Sequence, residues 1–96
     1  MDRNKDAVIF KLSKLLANEN DSDRISHFLS EIMTKTELET ISKRWCILES
    51  LAEGKTQREI SKELKVSLCK VTRGSQILKN KNSIVKRYLR IGDRNE

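Results

Sequence analysis

The sequence predicts an all-α fold, and three observations carry that prediction. Its 96 residues contain no Pro and only three Gly, so the strongest helix breakers are nearly absent. Apolar residues recur at i, i+3/i+4 and i+7, and no segment alternates with the period of two that marks a strand. Polar, turn-forming clusters separate the periodic stretches. A chain of this length makes one domain, residues 1–96. Hydrophobic residues are 36% and charged residues 35% of the total, a thin apolar supply for a short chain folding alone. Either a marginal monomer follows, or two chains that share one core.

The elements can be taken in order. Val8, Leu12 and Leu15, with Ile9 and Leu16, predict a first helix over about residues 5–18. The stretch Asn18-Glu19-Asn20-Asp21-Ser22-Asp23 has no apolar residue and reads as a loop. A second helix carries Ile25, Phe28, Leu29, Ile32 and Met33, with Ser22 or Asp23 as its N-cap. Thr34 with Glu37, or Thr36 with Glu39, offers a capping box to a third and longest helix. That helix runs to about Glu53 and is ended by Gly54. Leu38, Ile41, Trp45, Leu48 and Ala52 line one side of it, Trp45 as expected core packing, and Ile47 and Leu51 widen the stripe. So broad an apolar face suits a helix covered by its own chain and a partner together; a central core helix of a monomer fits it too.

Thr56-Gln57-Arg58-Glu59 is a further capping box, opening a short helix with Ile60 and Leu64 on its inner side. After a break at Lys65-Val66, Ser67 can cap a helix from Leu68 to about Lys79, with Val71 and Leu78 inward. Asn80-Lys81-Asn82-Ser83 is turn-like. Ile84, Val85, Tyr88 and Leu89 mark a last helix, and Arg90 to Glu96 are expected to fray.

Charge divides the chain. The net charge is +6; residues 1–54 hold 8 Lys/Arg and 10 Asp/Glu, and residues 55–96 hold 12 and 4. A basic half joined to a near-neutral half is what a phosphate-binding module on an assembly module would look like, although a solvated basic surface fits the same counts. The two cysteines, Cys46 and Cys69, and the single His27 have no metal-ligand spacing and form no disulfide framework. No nucleophile set, glycine-rich phosphate loop or metal cluster supports an enzyme. No stretch approaches the ~18 apolar residues of a membrane span, and no leader segment is recognisable, so a soluble, cytoplasmic chain is expected.

The informative stretch is residues 56–75, TQREISKELKVSLCKVTRGS. Two short capped helices separated by two or three residues have the layout of a helix-turn-helix. Ile60 and Leu64 on the first, Val66 in the turn and Val71 on the second are spaced to lock the crossing, and Ser61 is small enough to allow it. The second helix would present Ser67, Leu68, Cys69, Lys70 and Arg73 outward, towards a major groove ~12 Å wide. Gln57 and Arg58 lie in the first turn of the preceding helix, where free N–H groups and a cation can hold a phosphate. The residue after Leu64 needs positive φ; it is Lys65 rather than Gly, at a cost of about 1 kcal/mol.

The residues from Ile32 to Lys79, with the helices before them, resemble the tryptophan (trp operon) repressor family. The likeness is carried by Thr34 to Gly54, with its R-W-C-I-L-E-S-L-A-E-G run, by Q-R-E-I…E-L from Gln57 to Leu64, and above all by V-T-R-G-S from Val71 to Ser75. The resemblance implies a six-helix intertwined homodimer. Residues 5–54 and 81–90 would form the dimerisation core and 56–79 the helix-turn-helix DNA-reading head. It implies a repressor that L-tryptophan, as corepressor and without further cofactor, sets for binding a double-stranded operator of tryptophan-related genes.

By the same resemblance, Arg44 meets the ligand carboxylate, Arg73 stacks on the indole face, Gly74 leaves room for the ring, and Thr34 and its neighbours offer carbonyl oxygens from the other subunit. Gln57, Arg58, Ser61, Leu68, Cys69, Lys70, Thr72 and Lys79 fall on positions that approach DNA, with Ser67 beside them on the reading face. The chain also departs from the family. The link Gly54-Lys55-Thr56-Gln57 is one residue shorter, the turn lacks its glycine-rich sequence, Ile77 stands where a serine helps hold the ligand's amino group, and Glu31 stands at a usually apolar wall position. The Ser67-Leu68-Cys69-Lys70 face differs as well, so the operator sequence does not carry over. Two other readings fit the residues: a ligand-independent helix-turn-helix regulator, and a helical adaptor whose basic half meets an acidic protein.

Overall fold

A computed structural model describes residues 4–89. Among them are six helices and no strand: α1 (Lys5–Ala17), α2 (Ser22–Ile32), α3 (Lys35–Ala52), α4 (Gln57–Leu64), α5 (Leu68–Lys79) and α6 (Ile84–Leu89). The fold is all-α, as the periodicity predicts. The expected fraying from Arg90 onward, and residue 90 at the end of the expected core segment, lie outside the described residues. The chain falls into two compact units, divided between Leu38 and Glu39.

The first unit holds α1, α2 and the start of α3. Asn4 caps α1, its side-chain oxygen accepting the Ala7 N–H at 2.9 Å. The cap of α2 is Asp21, not Ser22 or Asp23 as expected; its carboxylate accepts the Asp23 N–H at 2.9 Å. Asp21 is the residue with extended backbone (φ −115°, ψ 113°), which carries its oxygen over the open helix end, whereas Ser22 already belongs to the helix. Thr34 and Glu37 form the box at α3: the Thr34 hydroxyl accepts the Glu37 N–H at 3.1 Å, and the Glu37 carboxylate accepts the Thr34 N–H at 2.8 Å. Neither α1 nor α2 has a buried residue, and Val8, Ile9, Phe10, Leu15 and Ile32 are all exposed.

The second unit is built where α3, α4 and α5 meet. Ile47, Ile60 and Val71 form its buried cluster, with Leu51, Leu64 and Val66 packed against it; Leu48 is buried too. On α3 the side covered by this chain is therefore the Ile47, Leu48 and Leu51 side. Ile41 and Trp45, two turns and one turn before Leu48, are 48% and 40% exposed. Trp45 is thus no core residue of the single chain: an apolar stripe marks what a helix can bury, and here α4 and α5 reach only its C-terminal half.

The ends of α3 and α4 each close with a left-handed residue and an N–H that reaches back five positions to a helix carbonyl. After α3, the Gly54 N–H bonds the Leu51 carbonyl at 3.0 Å and the Lys55 N–H bonds the Ser50 carbonyl at 3.2 Å, a Schellman ending with Gly54 at φ +92°. After α4, the Val66 N–H reaches the Ser61 carbonyl at 3.1 Å, with Lys65 left-handed at φ 56°, ψ 48°. The positive φ expected at Lys65 is present, in a residue that has a Cβ.

Candidate nucleic-acid interface

The helix, three-residue turn and helix from α4 to α5 are fixed by short-range chemistry at each joint. The Thr56 hydroxyl accepts the Glu59 N–H at 3.1 Å while the Glu59 carboxylate accepts the Thr56 N–H at 2.8 Å, closing the capping box of α4. Accepting that backbone N–H, and the Thr56 side-chain contact, holds the Glu59 carboxyl below its ordinary 4.5. Within the turn, the Ser61 hydroxyl donates to the Val66 carbonyl at 2.6 Å, so the small residue that permits the crossing also satisfies the turn. Ser67 caps α5 by accepting the Lys70 N–H at 3.3 Å.

The inward side of α5 is short of atoms by design of the sequence. Val71 is fully buried, and Gly74 is buried one turn on. A Cβ at Gly74 would lie 3.0 Å from Ile47 Cγ2 and 3.2 Å from Leu51 Cδ1. Gly74 therefore lets α5 lie directly on α3, the helix that carries Arg44.

The outward side holds the reading candidates. Leu68, Cys69, Thr72 and Arg73 line one shallow groove together with Gln76. Gln76 was not among the sequence candidates, although it follows Leu68 and Thr72 at four-residue steps and was legible from that spacing. Lys70 and Lys79 are exposed on α5, and Arg58 is exposed on α4. Gln57, half-buried at the first position of α4, accepts the Thr72 hydroxyl on its Oε1 at 2.8 Å. Ile77 is half-buried on α5 and Arg44 is exposed on α3. Thr34 belongs to the other unit, where its side chain caps α3.

The electrostatics follow from which charges are already engaged. Glu59 is held in its capping box, and Glu63 takes the Lys55 ammonium at 3.0 Å, with Glu53 at 4.0 Å from the same ammonium. The Glu63 bond raises the Lys55 pKa above 10.5. Helix α5 carries Lys70, Arg73 and Lys79 and no acidic residue. Both carboxylates of the pair are thus turned to internal work, and the exposed face is left cationic, the sign that a phosphate backbone requires. Among the described residues no group of His, Cys, Asp or Glu could hold a metal ion, and no helix is long and apolar enough to cross a membrane.

Residues 8–91 match the family described as Trp repressor protein. A Trp operon repressor homolog of Vibrio parahaemolyticus is 34% identical over 82 residues, covering 84% of this chain and 80% of its own. One from Xylella fastidiosa is 35% identical over 80 residues, 82% and 85% of the two chains. One from Chlamydia trachomatis is 35% identical over 84 residues, 86% and 85%. No solved structure matches the chain.

Proposed function

The chain belongs to the Trp repressor family, and from that premise we propose that it is a cytoplasmic DNA-binding transcriptional repressor. It works as a homodimer that L-tryptophan, as corepressor, sets for binding an operator of tryptophan-related genes. The family is one of repressors, not of enzymes. The observation that carries the DNA step is the α4–α5 pair, whose Ile60 and Val71 are buried with Ile47 of α3 while a wholly non-acidic α5 turns Leu68, Cys69, Lys70 and Thr72 outward. An α-helix with that outer face fits a major groove. Gln57, Arg58, Ser67 and Lys79 flank it as backbone contacts, which set register on the duplex.

Dimerisation is supported by apolar side chains that one chain leaves uncovered: Ile9, Phe10, Ile41 and Trp45 are 40–65% exposed. A second copy would remove them from water at about 25 cal/mol per Å2. For the ligand, Arg44 would meet the carboxylate and Arg73 the indole face, a planar cation against a ring. Gly74 keeps α5 close to α3, Ile77 lies on the same helix, and Thr34 of the partner subunit would offer its carbonyl to the ammonium group. The ligand acts by binding the DNA-competent arrangement more tightly than the other.

The test is duplex selection from a random pool followed by fluorescence anisotropy with and without L-tryptophan. Two half-sites about 34 Å apart are expected, the spacing described for helix-turn-helix dimers in general, the tryptophan repressor among them. Tryptophan should tighten binding by about 5- to 150-fold, the usual range of such coupling. An Arg73→Ala variant should keep its fold and lose that response. Indifference to tryptophan would remove the corepressor step alone. A protein with no preference for the selected duplex over a scrambled one would sink the repressor reading.

A further inference from the structure

Resting on the DNA-binding reading above, we propose that Thr72 is a positioning residue: its hydroxyl fixes which end of the Gln57 carboxamide faces out, and that end is the NH2 group, aimed at a DNA phosphate. The observation is a side-chain bond that joins the start of α4 to the middle of α5. Thr72 Oγ1 donates to Gln57 Oε1 at 2.8 Å, across 15 residues of sequence. A carboxamide has one accepting end and one donating end of nearly the same shape. With Oε1 occupied by the Thr72 hydroxyl, Nε2 is the end left to meet anything outside. A phosphate oxygen can only accept, so the end left free is the end it needs.

The same bond settles what Thr72 itself can do. A hydroxyl carries one hydrogen, and here it is given to Gln57, so none remains to donate to DNA. Thr72, on the outward face of α5, therefore acts through Gln57 rather than as a contact of its own.

The test is a double-mutant cycle on the full-length protein, read by anisotropy on a selected duplex and on a scrambled duplex at low salt. Thr72→Val keeps the branched shape and removes the hydroxyl. It should weaken binding about fivefold per reading head, which at 1.4 kcal/mol per tenfold is about 1 kcal/mol. A duplex that engages two heads should lose about twenty-five-fold on the same basis. The loss should be equal on both duplexes, because a phosphate contact carries no sequence information. Thr72→Ser should restore binding, and Thr72→Val should add nothing in a Gln57→Ala background. Thermal melting establishes that each variant is folded, and Thr72→Ala replaces Thr72→Val should the latter melt early. An undiminished cost in the Gln57→Ala background would overturn the proposal, since Thr72 would then contact DNA directly. So would unchanged binding by a folded Thr72→Val, or a loss confined to the selected duplex. Absence of duplex binding by the wild type would instead defeat the DNA-binding reading, and the proposal with it.

Discussion

Gly74→Ala tests how tightly α5 is laid on α3. The added Cβ would sit 3.0 Å from Ile47 Cγ2, 3.2 Å from Leu51 Cδ1 and 3.7 Å from Leu48 Cδ2; carbon atoms prefer about 3.5–4.0 Å. Leu51 Cδ1 is at the end of a flexible side chain and can swing away. Ile47 Cγ2 cannot, because it hangs directly on a β-branched Cβ whose χ1 is restricted in a helix, and Ile47 is only 2% exposed within the core cluster. Overfilling a packed site costs about 1–3 kcal/mol, and replacing Gly by Ala inside a helix returns about 0.5–1 kcal/mol. A net loss of about 1 kcal/mol is expected. Urea unfolding measures it, at one fixed protein concentration because association would otherwise shift the midpoint. An Ile47→Leu partner substitution moves the branch away from Cβ, so the double variant should be more stable than the two single losses summed. A Gly74→Ala protein as stable as wild type, or more so, would refute the close crossing.

The remaining predictions concern the turn, the cap and the uncovered face. Lys65→Gly relieves a left-handed residue (φ 56°) and should raise stability by about 0.5–1 kcal/mol in the same assay; a loss would mean that the lysine side chain contributes more than its backbone costs. Glu59 has a lowered carboxyl pKa, so its contribution is complete above 4.5 and fades as pH falls through the lower folded value. The stability gap between wild type and Glu59→Gln should therefore shrink in acid, and a gap constant from pH 7 to pH 3 would contradict the capping box. Trp45, the only tryptophan, is 40% exposed in one chain. Its emission should shift to longer wavelength on dilution as a partner leaves, whereas emission independent of concentration would argue against an interface on that side of α3.

How much of this could be read from sequence depends on the range of the interaction involved. Thr56 with Glu59, and Ser67 before Leu68, are signals confined to four neighbouring residues, and the helices they announce are where the spacing puts them. Where several neighbours share one chemistry the reading stops short. Asp21, Ser22 and Asp23 can all cap, and only the backbone angle of Asp21 selects it; Thr34 rather than Thr36 makes the box with Glu37 because α3 begins at Lys35. The stripe on α3 shows which residues are apolar but not which part of it this chain covers, so Trp45, expected in the core, is 40% exposed in the single chain. The Gln57–Thr72 bond has no local signature at all. Each residue is ordinary at its own position, and the pair exists only because Ile60, Leu64 and Val71 set the crossing that brings them together.

The division of labour along α5 bears on how such a protein could acquire new targets. Val71 and Gly74, the residues that seat the helix, point inward, while Leu68, Cys69 and Lys70 contribute nothing to the buried cluster and stand in solvent. Exchanges at those three positions should leave stability within about 0.5 kcal/mol, as surface substitutions generally do. On the proposed DNA-reading role of α5, address and scaffold are thus written in separate letters of one helix, and the first can be rewritten while the second is kept.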